Sequence, residues 1–353
     1  MIFRYFFILS LVVGYTYSIS AQSRQVIPFN TDWSFYKVNN STFFTNFQNG
    51  AKYFESHDQW SGISVWEKVT LPHTYNKVDM QVDRNFFEGK AVYKKRFTLN
   101  NNQRDKRIFI RFEAVGSVAQ VYVNNNYLGE HKGGYSQFAF ELTNSVQYDK
   151  ENEIVLITDN TARKDVLPVN HFLFPIYGGI YRPVQLITTN RTNFVVTDQA
   201  GPGIYITQKN VTSKSVDLSI AAKIETKERT SQNVAVVTEI RNREGEIILS
   251  QMDPVKISPQ GVTYFTQKLK LKNPKLWNGI YDPYLYSVTS RLLSNGTELD
   301  GVKQPLGIRS IQLQAGKGLF LNDHHYPMYG VCRHQDLWGY GSALSFEQHK
   351  ADM

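Results

Sequence analysis

The sequence predicts a mainly β protein, with two sandwiches in tandem followed by the opening strand and helix of a parallel α/β unit. Three observations carry this. Apolar residues recur at every second position, as in Val216, Leu218, Ile220, Ala222 and Ile224, which is the period of a strand with one buried and one solvated face. Turn residues break these runs at short intervals, at Asn124-Asn125-Asn126, Lys132-Gly133-Gly134 and Asn295-Gly296, the punctuation of hairpins. Aromatic residues make up 14% of the 353 residues, a content that suits pleated faces on which large flat rings pack.

The elements follow in order. Residues 1–21 read as an export signal. Arg4 precedes the apolar run Tyr5 to Val13, and small residues follow at Ser18, Ser20 and Ala21. The run is too short to span ~30 Å of hydrocarbon, so a secreted or periplasmic protein with no stable membrane anchor after cleavage is expected. The single cysteine, Cys332, has no partner for an internal disulfide, so the cores alone must hold the fold. Residues 22–188 form the first sandwich, with Ile108, Ile110 and Phe112 on one face of a strand and Val121 and Val123 on another. The polar stretch Thr189-Asn190-Arg191-Thr192-Asn193 marks a boundary. Residues 189–313 hold roughly seven strands in about 120 residues, an immunoglobulin-like count, with Tyr284, Tyr286, Val288 and Leu292 repeating the two-residue period.

The last segment, 314–353, changes character. Lys317 to Asp323 reads as a tight hairpin, and Tyr326 to Cys332 as a strand apolar on both faces, as in a barrel. Ser345-Phe346-Glu347-Gln348 is a capping box, so a helix starts near Phe346. One parallel strand and a helical stub cannot bury their own faces. The expectation is therefore a domain cut short after its first strand and the start of its helix. Thirty-nine Lys and Arg against 31 Asp and Glu leave a net charge of +8. No run of five basic residues exists, so this excess reads as a solvated surface, and no nucleic-acid partner is expected.

Several segments together resemble a known family. They are Trp66 to Asn76 (WEKVTLPHTYN), Val92 to Phe97 (VYKKRF), Phe112 to Tyr135 with its Leu128-Gly129-Glu130-His131-Lys132-Gly133-Gly134 centre, and Tyr177 to Val184 (YGGIYRPV). Asn273 to Trp277 with Pro283 to Tyr286, Gly307 to Ile311, and Gly330 to Asp336 (GVCRHQD) complete the series in order. The chain resembles glycoside hydrolase family 2, which holds β-galactosidases, β-glucuronidases and β-mannosidases. The resemblance implies a jelly-roll, galactose-binding-like first domain, an immunoglobulin-like second domain and, over 314–353, the truncated start of a (β/α)8 or TIM barrel.

The resemblance also implies hydrolysis of a β-glycoside with retention, by two carboxyl groups about 5–5.5 Å apart. The family takes both from later barrel strands, beyond Met353, so no catalytic residue is expected in this chain. Glu67, Glu113 and Glu347 match no catalytic motif and read as surface or strand-edge acids. Substrate contact is expected instead at the end of the first barrel strand: His334 donating to a sugar hydroxyl, Arg333 holding a neighbouring carboxylate, Asp336 accepting hydroxyls or anchoring the loop. The family often carries an Asp shortly before the Gly-Gly-Ile segment. Leu173 stands there in this chain, with His171 and Asn170 as the substitutes a small shift would offer. That departure weakens a galactose-specific reading. No cofactor is implied with certainty, and Na or Mg, as in related β-galactosidases, stays open. Tyr177 and Trp277 read as core aromatics rather than sugar-stacking platforms. The partner implied is a glycan or oligosaccharide, with a homo-oligomer left open. The alternative is a non-catalytic carbohydrate-binding or surface-interaction protein of two sandwiches.

Overall fold

A computed structural model describes residues 23–38, 65–79, 86–168 and 176–353. The export signal read at 1–21, together with Asn170, His171 and Leu173, lies outside the described residues.

The first unit contains β1 (Gln25–Pro28), β2 (Trp33–Lys37), β3 (Glu67–Val69), β4 (Lys90–Thr98), β5 (Arg107–Phe112), β6 (Val118–Val123), β7 (Asn126–Lys132), β8 (Phe138–Glu141), β9 (Glu151–Asp159) and β10 (Val184–Thr189). One sheet runs β1-β10-β5-β8 and the other β3-β2-β4-β9-β6-β7. All pairings of these strands are antiparallel. Trp33, Tyr93, Ile108, Ile110, Phe112, Val121, Val123 and Leu156 share the core between the sheets. Trp33 keeps its indole N–H satisfied by donating to the Phe29 carbonyl at 2.8 Å, as a buried polar tip must.

The period-two reading of β5 and β6 holds for the faces it named and misses the opposite ones. Phe109 on β5 is also fully buried, packed with Ile187 and Val196. Tyr122 on β6 is buried against Val92, Val155 and Ile157. Both strands are therefore covered on two sides. Alternation cannot show this, because the second cover comes from residues distant in sequence. Asn124 and Asn125 turn β6 into β7 with φ of 48° and 66°, the left-handed pair that asparagine tolerates best after glycine.

The second unit contains β11 (Thr192–Phe194), β12 (Ile204–Lys209), β13 (Ser215–Thr226), β14 (Gln232–Arg241), β15 (Ile247–Ile257), β16 (Val262–Lys272), β17 (Tyr286–Ser294) and β18 (Thr297–Leu306). This is one strand more than the sequence suggested, the extra being the short, polar β11. Here β13 carries β11 and β12 on one edge and β16 on the other, while the facing sheet runs β15-β14-β17-β18. Val216, Leu218, Ile220, Ala222 and Ile224 all enter the core between the sheets, beside Val236, Ile240, Val288 and Leu292. Each of the larger side chains contributes ~1.5–3 kcal/mol by leaving water. Asn295 and Gly296, with φ of 48° and 79°, close the β17–β18 hairpin.

A polar seam joins the two units. Arg107, 2% exposed, meets Glu141 of its own unit at 2.7 Å and Glu225 of β13 at 2.8 Å. Arg24 forks onto Asp300 at 2.7 and 2.9 Å, and Asp300 also accepts the Phe194 N–H at 2.7 Å. Bidentate guanidinium–carboxylate pairs of this kind fix orientation as well as supplying energy.

Beyond them lie β19 (Ile311–Gln314), β20 (Gly318–Leu321) and β21 (His324–His325), a three-stranded sheet, and the helix α1 (Phe346–Asp352). The expected tight turn is present, with Asn322 and Asp323 at φ of 51° and 67°. The helix also starts where the capping box placed it: Ser345 Oγ accepts from the Gln348 N–H at 3.3 Å and Gln348 Oε1 from the Ser345 N–H at 2.7 Å. The strand expected from Tyr326 to Cys332 is not formed. Those residues carry no regular hydrogen-bond ladder, and Tyr329 and Val331 are 92% and 94% exposed. A parallel strand takes its backbone bonds from flanking strands, and among the described residues none runs beside this segment.

Candidate functional site

The site is built outward from a buried polar cluster under the Tyr177-Gly178-Gly179-Ile180 segment. Asn76, completely buried, is its hub. Its Oδ1 accepts the Gly178 N–H at 2.7 Å and its Nδ2 donates to Asp79 Oδ2 at 2.7 Å and the Phe87 carbonyl at 2.9 Å. Asn160, equally buried, donates to the Ile176 carbonyl at 2.9 Å and the Phe87 carbonyl at 3.0 Å, and accepts from the Gly89 N–H at 2.8 Å. Thr74 Oγ1 donates to the Gly178 carbonyl at 2.7 Å. Every buried donor and acceptor named here has a partner, the condition under which a buried polar cluster rigidifies rather than destabilises. A Cβ at position 178 would fall 1.9 Å from the Tyr75 hydroxyl, so only glycine lets this backbone approach.

His73 sits beside this cluster with Nδ1 at 2.8 Å from the Tyr93 hydroxyl. Burial, with help from the nearby Lys77 charge, lowers its pKa to about 4, because a low-dielectric setting disfavours the imidazolium. The ring is therefore neutral at pH 7 and acts as a fixed dipole, not a charge.

On this base the first unit presents an edge to the 333–344 segment. The Tyr177 hydroxyl donates to Asp336 Oδ2 at 2.9 Å, and an Arg182 N–H donates to Gln335 Oε1 at 3.0 Å. Gly341, at φ of 55°, packs so closely that a Cβ would meet the Tyr177 ring at 2.8 Å. Ala343 is buried with Ala114 and Tyr181. Two motifs more than 150 residues apart in sequence thus meet as one hydrogen-bonded edge.

Three of the five expected site residues have a definite place. Asp336 is exposed and held by Tyr177. Arg333 is half-buried and turns its guanidinium onto Asp352 at the end of α1, with Nε at 3.0 Å. His334 is exposed. Asn170 and His171 lie outside the described residues. Tyr177 spends its hydroxyl on Asp336 and makes an edge contact with Phe86 at 5.7 Å. The Trp277 ring is covered by the Arg309 guanidinium at 5.0 Å, a packing role. Of the acids read as bystanders, Glu113 pairs with Arg111 at 3.1 Å, while Glu67 and Glu347 are exposed on β3 and in the first turn of α1. Asp79 and Asn160 went unnoticed in the sequence; the signal for Asn76 lay inside the Trp66 to Asn76 segment, where it read as a motif letter without a role.

Arg182 also borders an open cleft of about 870 Å³ lined by His131, Tyr135, Phe138, Glu113 and Glu130. His131 stacks on Phe138 at 4.2 Å, and burial lowers its pKa. Among the described residues no three His, Cys, Asp or Glu side chains gather as metal ligands. With no such cluster the described residues do not by themselves make a Na or Mg site, and no step of the chemistry below runs through one. No helix among the described residues is long and apolar enough to cross a membrane.

The fold and edge define a tandem-sandwich scaffold with a C-terminal segment docked on its first unit. Residues 29–190 match the sugar binding domain of glycosyl hydrolases family 2, and residues 202–309 match a second module of glycosyl hydrolases family 2. The chain belongs to glycoside hydrolase family 2. It is 36% identical to a β-glucuronidase of Bacteroides fragilis over 81% of this chain and 41% of that one. It is 30% identical to a β-galactosidase of Thermoanaerobacter pseudethanolicus over 93% of this chain and 41% of that one. A solved Bacteroides fragilis protein, provisionally named a β-galactosidase, superimposes with a TM-score of 0.86 at 46% identity, over 94% of this chain and 48% of that one. The chain therefore spans less than half the length of these relatives.

Proposed function

We propose that this chain is the scaffolding front of a secreted or periplasmic retaining β-glycosidase, β-galactosidase-like, acting at the non-reducing end of a glycan. The observation that carries it is the joined edge. Tyr177 and Arg182 grip Asp336 and Gln335, so the first sandwich sets the position of the segment expected to border a sugar site. In this reading the chain supplies position, and the pair of catalytic carboxyl groups comes from protein that these residues support. Protonation of the leaving oxygen and attack on the anomeric carbon belong to that pair. Holding a loop to within a fraction of an ångström is a real contribution to rate, since misplacement of a contact by about 1 Å can cost 10²-fold.

A second reading, β-glucuronidase, is favoured by the name of the 36% identical relative. It would place a cation near the sugar carboxylate. A chimera tests the scaffolding role, joining residues 23–353 to the remaining portion of the 46% identical Bacteroides fragilis protein. It should hydrolyse p-nitrophenyl β-galactoside or β-glucuronide, whichever that portion cleaves, while the 353-residue chain alone hydrolyses neither. Turnover by the chain alone, or a folded chimera inert to both, refutes the scaffolding role.

A further inference from the structure

Lysines scattered in the sequence gather on the outer face of the sheet formed by β12, β13 and β16. The register pairs Asp217 with Lys270 on one side and Lys209 on the other, Ser219 with Lys268 and Thr207, and Ser215 with Lys272. Directly opposed residues share a face. The even-numbered residues of β13 from Val216 to Ile224 fill the core, so this set faces water. Lys209, Lys268, Lys270 and Lys272 are all exposed, against the single carboxylate of Asp217. Asp217 is shared between Lys270 at 3.6 Å and Asn210 at 2.8 Å. Lys209, Lys268 and Lys272 have no ion pair among the described residues. Successive outward positions on a strand lie ~7 Å apart and next-but-one strands ~10 Å apart. The four ammonium groups thus fall within one to two Debye lengths of about 8 Å at physiological salt, and their potentials add.

The rest of the face is equally specific. Below the lysines come small side chains, Ser219, Thr207, Ala221 and Thr266, and then two tyrosines, Tyr205 and Tyr264, flanking Lys223. Tyr264 is 74% exposed. Lys223 is engaged with Asp198 and lies 5.5 and 5.8 Å from the two tyrosine rings. The result is a sheet face basic at one end and aromatic at the other.

We propose that this face docks an acidic polysaccharide, with carboxylate or sulfate groups over the lysines and a sugar ring against Tyr264. Charge complementarity calls for a polyanion. The four exposed cations at the basic end are all lysine, three of them without an ion pair among the described residues, and are point charges suited to single anionic groups spread along a chain. The forked guanidinium that recognises phosphate in pairs is absent from the face. The flat, small-residue centre has no element that could enter a nucleic-acid groove. An amphipathic tyrosine beside it fits the apolar face of a pyranose. Preference for glycan over nucleic acid leans partly on the family reading; the binding does not depend on which glycoside the whole enzyme cleaves, and turnover by the chimera is a separate measurement.

The test uses the full chain and oligogalacturonate of about ten sugars, titrated by calorimetry in about 50 mM and then about 300 mM salt. Combined Lys268→Glu, Lys270→Glu and Lys272→Glu should weaken binding by about tenfold or more, and Tyr264→Ala by about threefold. A control with the same charge change at the exposed Lys150, Lys164 and Lys317 should stay within about threefold of the parent, and higher salt should weaken all binding. Unchanged melting temperatures verify that the variants fold. The proposal is overturned by absence of oligogalacturonate binding at low salt, by equal loss in the control variant, or by tighter binding of oligothymidylate through the same lysines.

Discussion

Replacing Asn76 by leucine tests whether the buried cluster holds the site. Leucine matches asparagine in size but leaves the Gly178 N–H and the Phe87 carbonyl without the partner they have at 2.7 and 2.9 Å, and Asp79 without its 2.7 Å donor. Asp79 keeps the Phe87 N–H at 2.9 Å, and the Phe87 carbonyl keeps Asn160 at 3.0 Å, so the Gly178 N–H is the one group left with nothing. An orphaned buried group costs ~1–3 kcal/mol and a weakened charge-assisted bond about as much. The added apolar burial returns ~1–2 kcal/mol. Taken at the middle of these ranges the expected net loss is about 2–3 kcal/mol, a large part of a typical domain stability. Urea unfolding followed by tryptophan fluorescence reads it, since Trp33 lies fully buried in the same unit. Asn76→Asp should also destabilise, by placing a second carboxylate against Asp79, and should recover as acid protonates one of the two. A loss below about 1 kcal/mol for the leucine variant would mean water replaces the asparagine and that the cluster does not fix the Tyr177 segment.

Other outcomes follow from the charges. Arg107→Met removes the cation that Glu141 and Glu225 share across the seam, and unfolding experiments should show a loss of about 3 kcal/mol, because Glu225 loses its partner while partly buried and Glu141 keeps only Thr143 and the more distant Lys227. Burial pushes the Glu141 carboxyl up, but Arg107, Thr143 and Lys227 together hold it below its ordinary value. Its stabilisation is therefore complete above the ordinary carboxylate range and is lost as pH falls through the lowered value, so Glu141→Gln should flatten the acid limb of a melting-temperature profile. His73 behaves as a base with a depressed pKa: between its ordinary 6.5 and about 4, the unfolded chain binds the proton and the folded one does not. Stability should fall with pH across that window by up to about 3 kcal/mol, and His73→Phe should remove the slope even if it lowers the plateau. A His73 ring that titrates near 6.5 by NMR would refute this.

The fold was legible wherever burial follows local period. In β13 the sequence pattern and the core coincide residue for residue, and Asn124-Asn125, Asn295-Gly296 and Asn322-Asp323 all form left-handed turns. Legibility failed where partners are non-local. Nothing near Phe109 in sequence announces that Val196 will cover it, and nothing near Asn76 announces Asn160. The site shows the same division. Motif resemblance pointed to Asp336 but not to the hydroxyl that holds it, because Tyr177 read as a core aromatic. The segment 326–332 failed for the opposite reason. Its apolar residues fit a buried strand, but composition cannot supply the neighbouring strands that make one.

That failure has a measurable consequence. Met328, Tyr329, Val331 and Trp338 are exposed, each above two thirds, a larger apolar display than isolated surface residues make and the kind that drives association. The sequence places a boundary at Leu313, but a cut there would strip β19 of its partner, since Ile311 and Leu313 pair with Leu321 and Leu319 on β20. It would also release Asn322, which exchanges bonds of 2.9 and 3.0 Å with the Ser310 backbone and donates to the Trp277 carbonyl at 3.0 Å. Ending the chain after Tyr326 instead keeps the three-stranded sheet and the Tyr326 hydroxyl that accepts the Ile280 N–H at 3.2 Å. Of the contacts it removes, Tyr177 to Asp336 and Arg182 to Gln335 are exposed and contribute little to stability in water, while the burial of Ala343 against Ala114 and Tyr181 is a small apolar contact that the cut at Leu313 loses as well. By light scattering after gel filtration, the chain ending at Tyr326 should be more monodisperse than the full chain, and the chain ending at Leu313 should melt lower than either. If the Tyr326 and full chains associate equally, the sticky surface lies elsewhere and the exposed 328–338 residues are not what the sandwiches leave uncovered.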